Sequence, residues 1–180
     1  MRMSESQIVV RKAMPDDLPV VVELIDQAKQ LLHDDGIDQW QDGYPDRATL
    51  QHDIASGWGR LLMLDGVVVA TAAVIDEPDP NYRELLEGSW KPSQSERSDY
   101  ATIHRVAVAS GYRGRHLATE FYRMLIDEVR ASGFHELRVD THPDNRRMQH
   151  LIERFGFDRV GVAFMRGNRA DRRYAYQLFL

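Results

Sequence analysis

Hydrophobic positions along the chain follow two spacings, one typical of strands and one typical of helices. Short β-branched or apolar runs predict strands over residues 8–12, 60–64, 67–75, 100–108, 136–141, 157–165 and 173–180. Apolar residues at helical spacing predict helices over residues 15–33, 46–56, 115–132 and 145–155. Pro15 in a first turn and Gly133 after a last turn are typical helix boundaries. Alternating strands and helices in the second half indicate some parallel pairing there.

Residues 76–98 interrupt this regular pattern. The segment contains Pro78, Pro80 and Pro92 and only one short helical pattern, around residues 82–86. Long connections of this kind are often lids or contact surfaces, so we predict an excursion over one edge of the domain. Residues 1–180 otherwise show no linker, repeat or low-complexity tract, and their length predicts a single domain.

The composition narrows the classes of partner. The formal net charge of -5 argues against a surface for nucleic acid, although it permits a local basic pocket for a phosphate. No apolar run is long enough to span a membrane, and we expect a cytoplasmic protein. The sequence contains no cysteine, which excludes a disulfide, a thiolate metal site and a cysteine nucleophile.

A candidate phosphate site follows the strand at residues 100–108. The chain passes through Gly111 and Gly114, and the predicted helix begins at Arg115. A helix N-terminus presents unpaired N–H groups and the positive end of its dipole, which favour phosphate oxygens. Arg113 and Arg115 would add positive charge. An ordinary turn with two solvated arginines remains the alternative, and the segment fits neither a Walker loop nor a Rossmann fingerprint.

Two motifs resemble the GNAT (GCN5-related N-acetyltransferase) superfamily. Residues 112–118, Tyr-Arg-Gly-Arg-His-Leu-Ala, are similar to its acetyl-CoA signature, Arg/Gln-x-x-Gly-x-Gly/Ala, and residues 103–108 are similar to the strand that leads into it. Residues 145–157 resemble its Asn-x-x-Ala…Leu-Tyr-x-Lys-x-Gly-Phe helix at the expected distance. The resemblance implies an α+β fold, a mixed α/β sandwich whose central mixed sheet of about seven strands is flanked by helices, and the predicted element order agrees.

The resemblance also implies acetyl-CoA as co-substrate. Backbone groups of two strand residues would hold its pantetheine arm, the amides of the turn would hold its pyrophosphate, and an asparagine would lie near its thioester. The implied cofactor-binding residues are Val106, Val108, Arg113, Gly114, Arg115, His116, Leu117, Ala118 and Asn145. Two positions depart from the family pattern: His116 replaces a glycine, and Ile152 replaces the tyrosine that protonates the leaving thiolate in many members.

The candidate catalytic residues are His104, Asp140 and His142. Transfer to an amine needs a base, and the ordinary histidine pKa suits that task. His104 lies two residues before Val106, so strand alternation predicts that both face the same side. Asp140 and His142 end a predicted strand, where sites often lie. The alternatives are a core histidine and a capped turn, and no residue spacing predicts a metal site.

The loop at residues 34–45 is the candidate acceptor site, as it is in this superfamily. Asp38, Trp40 and Tyr44 would suit a cation through a carboxylate and aromatic faces. A solvated acidic loop is the alternative. The predicted function is therefore acetyl transfer from acetyl-CoA to a primary amine on a small molecule or peptide, by direct attack. A non-catalytic acyl-CoA-binding module and an unrelated phosphate-binding domain are the competing interpretations. A homodimer remains open.

Overall fold

One mixed sheet with helices on both faces forms the part of the chain that the computed structural model describes, residues 6–93 and 99–180. The strands are β1 (Ile8–Lys12), β2 (Gly59–Leu64), β3 (Val67–Ile75), β4 (Glu87–Gly88), β5 (Ala101–Val108), β6 (Glu136–Thr141), β7 (Asp158–Met165) and β8 (Asn168–Phe179). The helices are α1 (Leu18–Asp34), α2 (Arg47–Ala55), α3 (Leu117–Ala131) and α4 (Arg146–Arg154).

The strand order in the sheet is β1-β2-β3-β5-β6-β8-β7-β4. β5 and β6 are parallel, and the other neighbouring strands are antiparallel. This arrangement confirms the predicted α+β fold with a mixed central sheet. Seven of the eight strands were predicted. β4 was not, because its two residues are too few to show any periodicity. It pairs with Val162 and Gly161 of β7 at the edge of the sheet.

Several predicted boundaries shift in the structure. The last strand begins at Asn168 rather than residue 173, because β7 and β8 form one long hairpin. The helical pattern near Tyr82 is a single 3-10 turn, Pro80–Tyr82. Residues 94–98 of the predicted excursion lie outside the described residues.

Two hydrophobic clusters cover opposite faces of the sheet. Phe121 of α3 and Ile152 of α4 belong to the larger cluster, with residues of β2, β3, β5 and β6. Ile25 of α1 and Leu50 of α2 belong to the second. The two helix pairs therefore hold the sheet between them. None of the described helices has the length and apolar character needed to cross a membrane.

The parallel strands β5 and β6 separate soon after they begin. They pair only at Ala101 with Leu137 and at Thr102 with Arg138. Beyond these pairs β5 continues for six residues to Val108, and it remains paired with β3 on its other side. The separation opens a cleft in the middle of the sheet, at the N-terminal end of α3.

Candidate active site

A cavity of about 880 Å³ occupies the cleft between β5 and β6. Its wall is formed by β5, the ends of β6 and α1, the loop before α2, the turn before α3 with the first residues of that helix, and one face of α4. Asp79 and Asn81 line it from the segment after β3, and Met165, Arg166 and Arg173 line it from the hairpin of β7 and β8 and its turn. Five separate regions of sequence therefore meet at one site.

The N-terminal end of α3 faces this cavity without a side-chain cap. The helix begins at Leu117, and its N-cap residue, His116, makes no capping hydrogen bond. Gly114 has a φ of +77°, and a Cβ atom built there would meet nothing within 4 Å. Arg113, Gly114, His116, Leu117 and Ala118 all line the cavity. The turn therefore offers free amides and open space, as a bound phosphate requires.

His116 adopts a left-handed backbone conformation, with φ 59° and ψ 14°. Glycine adopts this region without steric cost, whereas most other residues are strained there and histidine is tolerated better than most. The left-handed conformation therefore explains why the family signature has a glycine at this position. The same conformation delays the start of α3 from the predicted Arg115 to Leu117, and the guanidinium of Arg115 lies 5.4 Å from the centre of the Tyr112 ring, outside the cavity wall.

A β-bulge at Arg105 changes the direction in which β5 presents its side chains. Arg105 has a φ of 55°, and the register between β3 and β5 shifts at this point. Before the bulge, Ile103 packs in the core beneath α3; after it, Val106 and Val108 pack against the same core. The prediction that His104 and Val106 face the same side is therefore wrong, because one extra residue reverses the alternation.

The side chain of Arg105 lies in a buried ion pair. Its Nε and Nη2 atoms donate to the two carboxylate oxygens of Asp53 at 2.7 Å each, and Nη1 donates to the Tyr44 hydroxyl at 2.7 Å. The Arg105 and Asp53 side chains are only 9% and 7% exposed. Burial raises the pKa of Tyr44 despite the guanidinium. The pair ties α2, the loop before it and the bulge together at the cavity wall.

His104 lies between two carboxylates. Its Nε2 atom is 2.9 Å from Oδ2 of Asp79, and its Nδ1 atom is 3.9 Å from Oδ1 of Asp140. The Tyr82 hydroxyl donates to Oδ1 of Asp140 at 2.6 Å, and its ring packs beside that of His104. The predicted residues His104 and Asp140 are thus brought together at the cavity, and Asp79 joins them from another segment.

Burial and hydrogen bonding act in opposite directions on these groups. Burial favours the neutral form of Asp79, but the hydrogen bond and charge of His104 and the donors of Asn81 leave its pKa below the ordinary value. Burial, together with the charges of Asp140 and Asp79, raises the pKa of Tyr82 well above its ordinary value. Asp79 is therefore ionised at neutral pH, and Tyr82 keeps its proton.

The other predicted site residues fall into two groups. Trp40, Tyr44 and Asn145 line the cavity. The Asn145 side chain also caps α4 by accepting the N–H of Met148 at 3.2 Å, and it donates to Gln39 at 2.9 Å. His142 and Asp38 do not line the cavity. His142 accepts the backbone N–H of Asp144 at 3.1 Å, and its pKa is lowered by burial and by the charge of Arg173.

Sequence reasoning missed Asp79, Arg105 and Arg173. Arg105 could not be predicted because a strand pattern does not reveal a bulge. Arg173 could not be predicted because it begins a predicted strand with no motif around it. Asp79 could have been found: it follows Pro78 and precedes Pro80-Asn81, a combination typical of a fixed turn. Ile152, at the tyrosine position of the family motif, is fully buried in the core and does not line the cavity.

Comparison with known proteins agrees with this architecture. Residues 25–157 match the family described as the Acetyltransferase (GNAT) family. No curated protein sequence is similar enough to this chain to count as a match. A crystal structure of a GNAT-family acetyltransferase from Streptococcus agalactiae 2603 is 32% identical, with a TM-score of 0.85, and the alignment covers 96% of this chain and 95% of that one.

More distant structures share the fold. A GNAT-family acetyltransferase from Listeria monocytogenes 4b F2365 is 19% identical with a TM-score of 0.73, over 96% of this chain and 95% of that one. A chain of the NatC complex bound to Gag peptide and CoA is 16% identical with a TM-score of 0.66, over 97% of this chain and 99% of that one. The extent of the family match and the 32% identity lead to one conclusion: this chain belongs to the GNAT family of acetyltransferases.

Proposed function

We propose that the protein transfers an acetyl group from acetyl-CoA to a primary amine by direct attack in a ternary complex. The observation that carries this proposal is the position of the His104–Asp79 pair in the same cavity as the uncapped N-terminus of α3. One feature suits a phosphate-bearing donor and the other suits an amine that must lose a proton. The absence of cysteine from the sequence supports the direct route.

The turn before α3 and the end of β5 would hold acetyl-CoA, which supplies the acetyl thioester. The amides from residue 114 to residue 118 would bind its pyrophosphate, while the Arg113 amide is occupied by Ser110 and its side chain would add positive charge. Val106 and Val108 lie beyond the last β5–β6 pair, so their backbone groups on that side are available to the pantetheine arm. Asn145 lies on the opposite wall, at the start of α4.

His104 would act as the general base. An alkyl amine has a pKa of about 10.4, so only about 0.04% is neutral at pH 7 and removal of the ammonium proton is a large advantage. An N–H on Nε2 that donates to Asp79 leaves Nδ1 as an acceptor. Nδ1 lies 3.9 Å from Asp140, beyond hydrogen-bond distance, and can therefore take the proton of an amine that approaches the two groups from the cavity. Asp79 would stabilise the imidazolium that results.

Release of free thiol from acetyl-CoA in the presence of a panel of amines tests the proposal, with the acetylated product identified by mass. We expect amine-dependent release. A non-catalytic acyl-CoA-binding module would need only the α3 turn, and it leaves the His104–Asp79 pair without a role. Acetyl-CoA that raises the melting temperature while no amine supports thiol release would favour that alternative. No shift with acetyl-CoA would remove both interpretations.

A further inference from the structure

The cavity wall around His104 carries a distinct charge pattern. We call this wall the acceptor end, and it is formed by Tyr44, Asp79, His104, Asp140, Arg166 and Arg173. Asp171, which contacts both Arg166 and Arg173, connects these residues into one network. His104 contacts Asp79 and Asp140, Asp140 lies 3.9 Å from Arg173, and Arg166 stacks on the Tyr44 ring at 4.9 Å. Any acceptor that reaches His104 must be compatible with these charges.

The guanidinium groups of this region are already paired. Arg105 is neutralised by Asp53. Arg166 pairs with Asp42 and lies 3.3 Å from Asp171, and Arg173 pairs with Asp171 as well. Among the described residues that form the acceptor end, no arginine therefore remains without a carboxylate partner.

Two carboxylates and two guanidiniums line the acceptor end, and the guanidiniums are neutralised by Asp42 and Asp171, which lie outside the cavity wall. Asp79 receives hydrogen bonds from His104 and Asn81, and Asp140 receives one from the Tyr82 hydroxyl. Counting Asp42 and Asp171 with them gives four carboxylates against the two guanidiniums of Arg166 and Arg173, a net charge of −2 with His104 neutral. Asp79 and Asp140 are 12% and 8% exposed, so solvent screens them weakly.

A buried threonine also lines the cavity. Thr141 follows Asp140 at the end of β6, lines the cavity and is fully buried. Its Oγ1 atom has no hydrogen-bond partner. A buried hydroxyl without a partner is unfavourable by about 1–3 kcal/mol, so native structures rarely leave one unpaired. Strand alternation places Thr141 on the face of β6 that carries Leu137 and Val139, opposite to Asp140, so this hydroxyl belongs to the side of the cleft next to α3 and α4 and not to the acceptor end.

We infer that the acceptor is an aliphatic diamine or polyamine rather than a free amino acid. This inference rests on the proposed function and names the substrate class for that same site. A single ammonium group would offset half of the net charge, and a second cationic group on the same molecule would offset the rest. A carboxylate on the same molecule would instead enter a negative region whose arginines are already paired, which disfavours it through like-charge repulsion.

Three substrates of equal chain length test this inference: 1,5-diaminopentane, lysine and 1-aminopentane. Lysine differs from the diamine only by a carboxylate, and 1-aminopentane lacks the second amine. We expect kcat/KM for the diamine to exceed that for lysine by about 10–100-fold, as repulsion at a few ångströms inside a partly screened site would give. We expect kcat/KM for the diamine to exceed that for 1-aminopentane by at least about threefold. This ratio is smaller because the second ammonium lies farther from the carboxylates than the reacting amine does. Lysine equal to or better than the diamine, or a monoamine equal to it, would overturn the inference.

A variant tests whether the charge pattern is the cause. Asp171→Asn removes one negative charge and releases Arg173 from its partner, so the diamine-to-lysine ratio should fall by about 3–10-fold. Asp158→Asn is the matched control, because it removes a carboxylate from an exposed pair with Lys91 outside the cavity and should leave the ratio unchanged. An unchanged ratio in a folded Asp171→Asn protein would contradict the charge argument.

The experiment separates failure of this inference from failure of the proposed function. If lysine or 1-aminopentane is acetylated at least as well as the diamine, the enzyme is an amine acetyltransferase and only the substrate class is wrong. If none of the three amines, and no amine of the wider panel, supports thiol release, the proposed function itself fails. Should Asp171→Asn not fold, the comparison of the three substrates on the unmodified protein still decides the inference.

Discussion

His104 and Asp79 form a partly buried pair in which Nε2 and Oδ2 are 2.9 Å apart, although 25 positions separate the two residues. Their side chains are 15% and 12% exposed. One residue belongs to the central strand β5 and the other to the irregular segment after β3. The pair places an imidazole within hydrogen-bond distance of a carboxylate at the cavity wall, so both members should be tested.

Replacement of His104 by glutamine should leave the fold and acetyl-CoA affinity close to those of the parent, because glutamine can keep one neutral hydrogen bond to Asp79. The acetylation rate should fall by about 10²–10⁴, the usual range for loss of acid–base assistance. The rate measured against pH should lose the rising limb of the parent. Near-parental turnover with an unchanged pH profile would place the base elsewhere, and Asp140 would be tested next.

Asp79 should also make stability depend on pH. Its pKa is lower in the folded protein than its ordinary value, so the unfolded chain binds the proton more readily. The stabilisation is therefore present above about pH 4, the ordinary aspartate pKa, and is lost as the pH falls through the lower folded pKa. Urea unfolding between about pH 5 and pH 3 should show a shallower loss of stability in Asp79→Asn than in the parent. Parallel curves would exclude this contribution.

Gly114 and Gly111 offer a matched test of the turn before α3. A Cβ at either position meets nothing within 4 Å, but only Gly114 has a positive φ. Gly114→Val should therefore be strained by about 1–2 kcal/mol and should block the approach of a phosphate, abolishing the increase in melting temperature caused by acetyl-CoA. Gly111→Ala should keep that increase, which is worth about 2.7 kcal/mol at a ligand concentration about 100 times the dissociation constant. Equal binding by both variants would contradict the assignment of the turn.

His116→Gly restores the family residue at a left-handed position. Removal of the strain exceeds the entropy that glycine adds to the unfolded chain, so we expect the free energy of unfolding to rise by about 0.5–1 kcal/mol. Urea denaturation measures this change, and a less stable variant would contradict it. Calorimetric titration of the same variant with acetyl-CoA then measures the role of the imidazole. If the imidazole contacts the ligand, His116→Gly should weaken binding. If the imidazole only restricts the turn, the same change should tighten binding.

Asp53→Asn should destabilise the protein strongly. The change leaves the Arg105 guanidinium buried without its charge partner, which typically costs about 3–5 kcal/mol. Asp158→Asn breaks the exposed Lys91–Asp158 pair and should cost less than about 1 kcal/mol. Urea unfolding of the two variants compares a buried with an exposed ion pair in one protein. Similar losses would mean that the Arg105 network does not hold the cavity wall.

The sequence predicted the sheet and helices because their signals are local. Alternation and helical spacing identify β3 or α3 from a few consecutive residues, as Val67–Ile75 and Leu117–Ala131 show. The two-residue strand Glu87–Gly88 has no such signal, since its pairing partner lies more than 70 positions away. The same limit applies to the bulge at Arg105, which is stabilised by Asp53 from α2.

Parts of the candidate site could be predicted where a sequence motif or a reactive residue type pointed to them. The turn before α3 and the reactive type of His104 were visible in the sequence. The network around His104 was not, because Asp79 and Tyr82 contact His104 from 25 and 22 positions away along the chain, and Arg173 lies near Asp140 from 33 positions away. Charge pairing among such residues is a property of the folded chain, and no local pattern encodes it.

The brief pairing of β5 with β6 has a mechanical consequence. Among the described residues, only two residue pairs between strands join a four-stranded block, β1-β2-β3-β5, to a second one, β6-β8-β7-β4, although the core of α3 and α4 packs against both. Beyond these pairs β5 and β6 are too far apart to bond to each other. Amide groups of a molecule lying in the gap would form hydrogen bonds with the backbone of the two strands instead. A molecule bound there would therefore add hydrogen bonds between the two blocks, and its departure would leave them joined by the two residue pairs and the shared core.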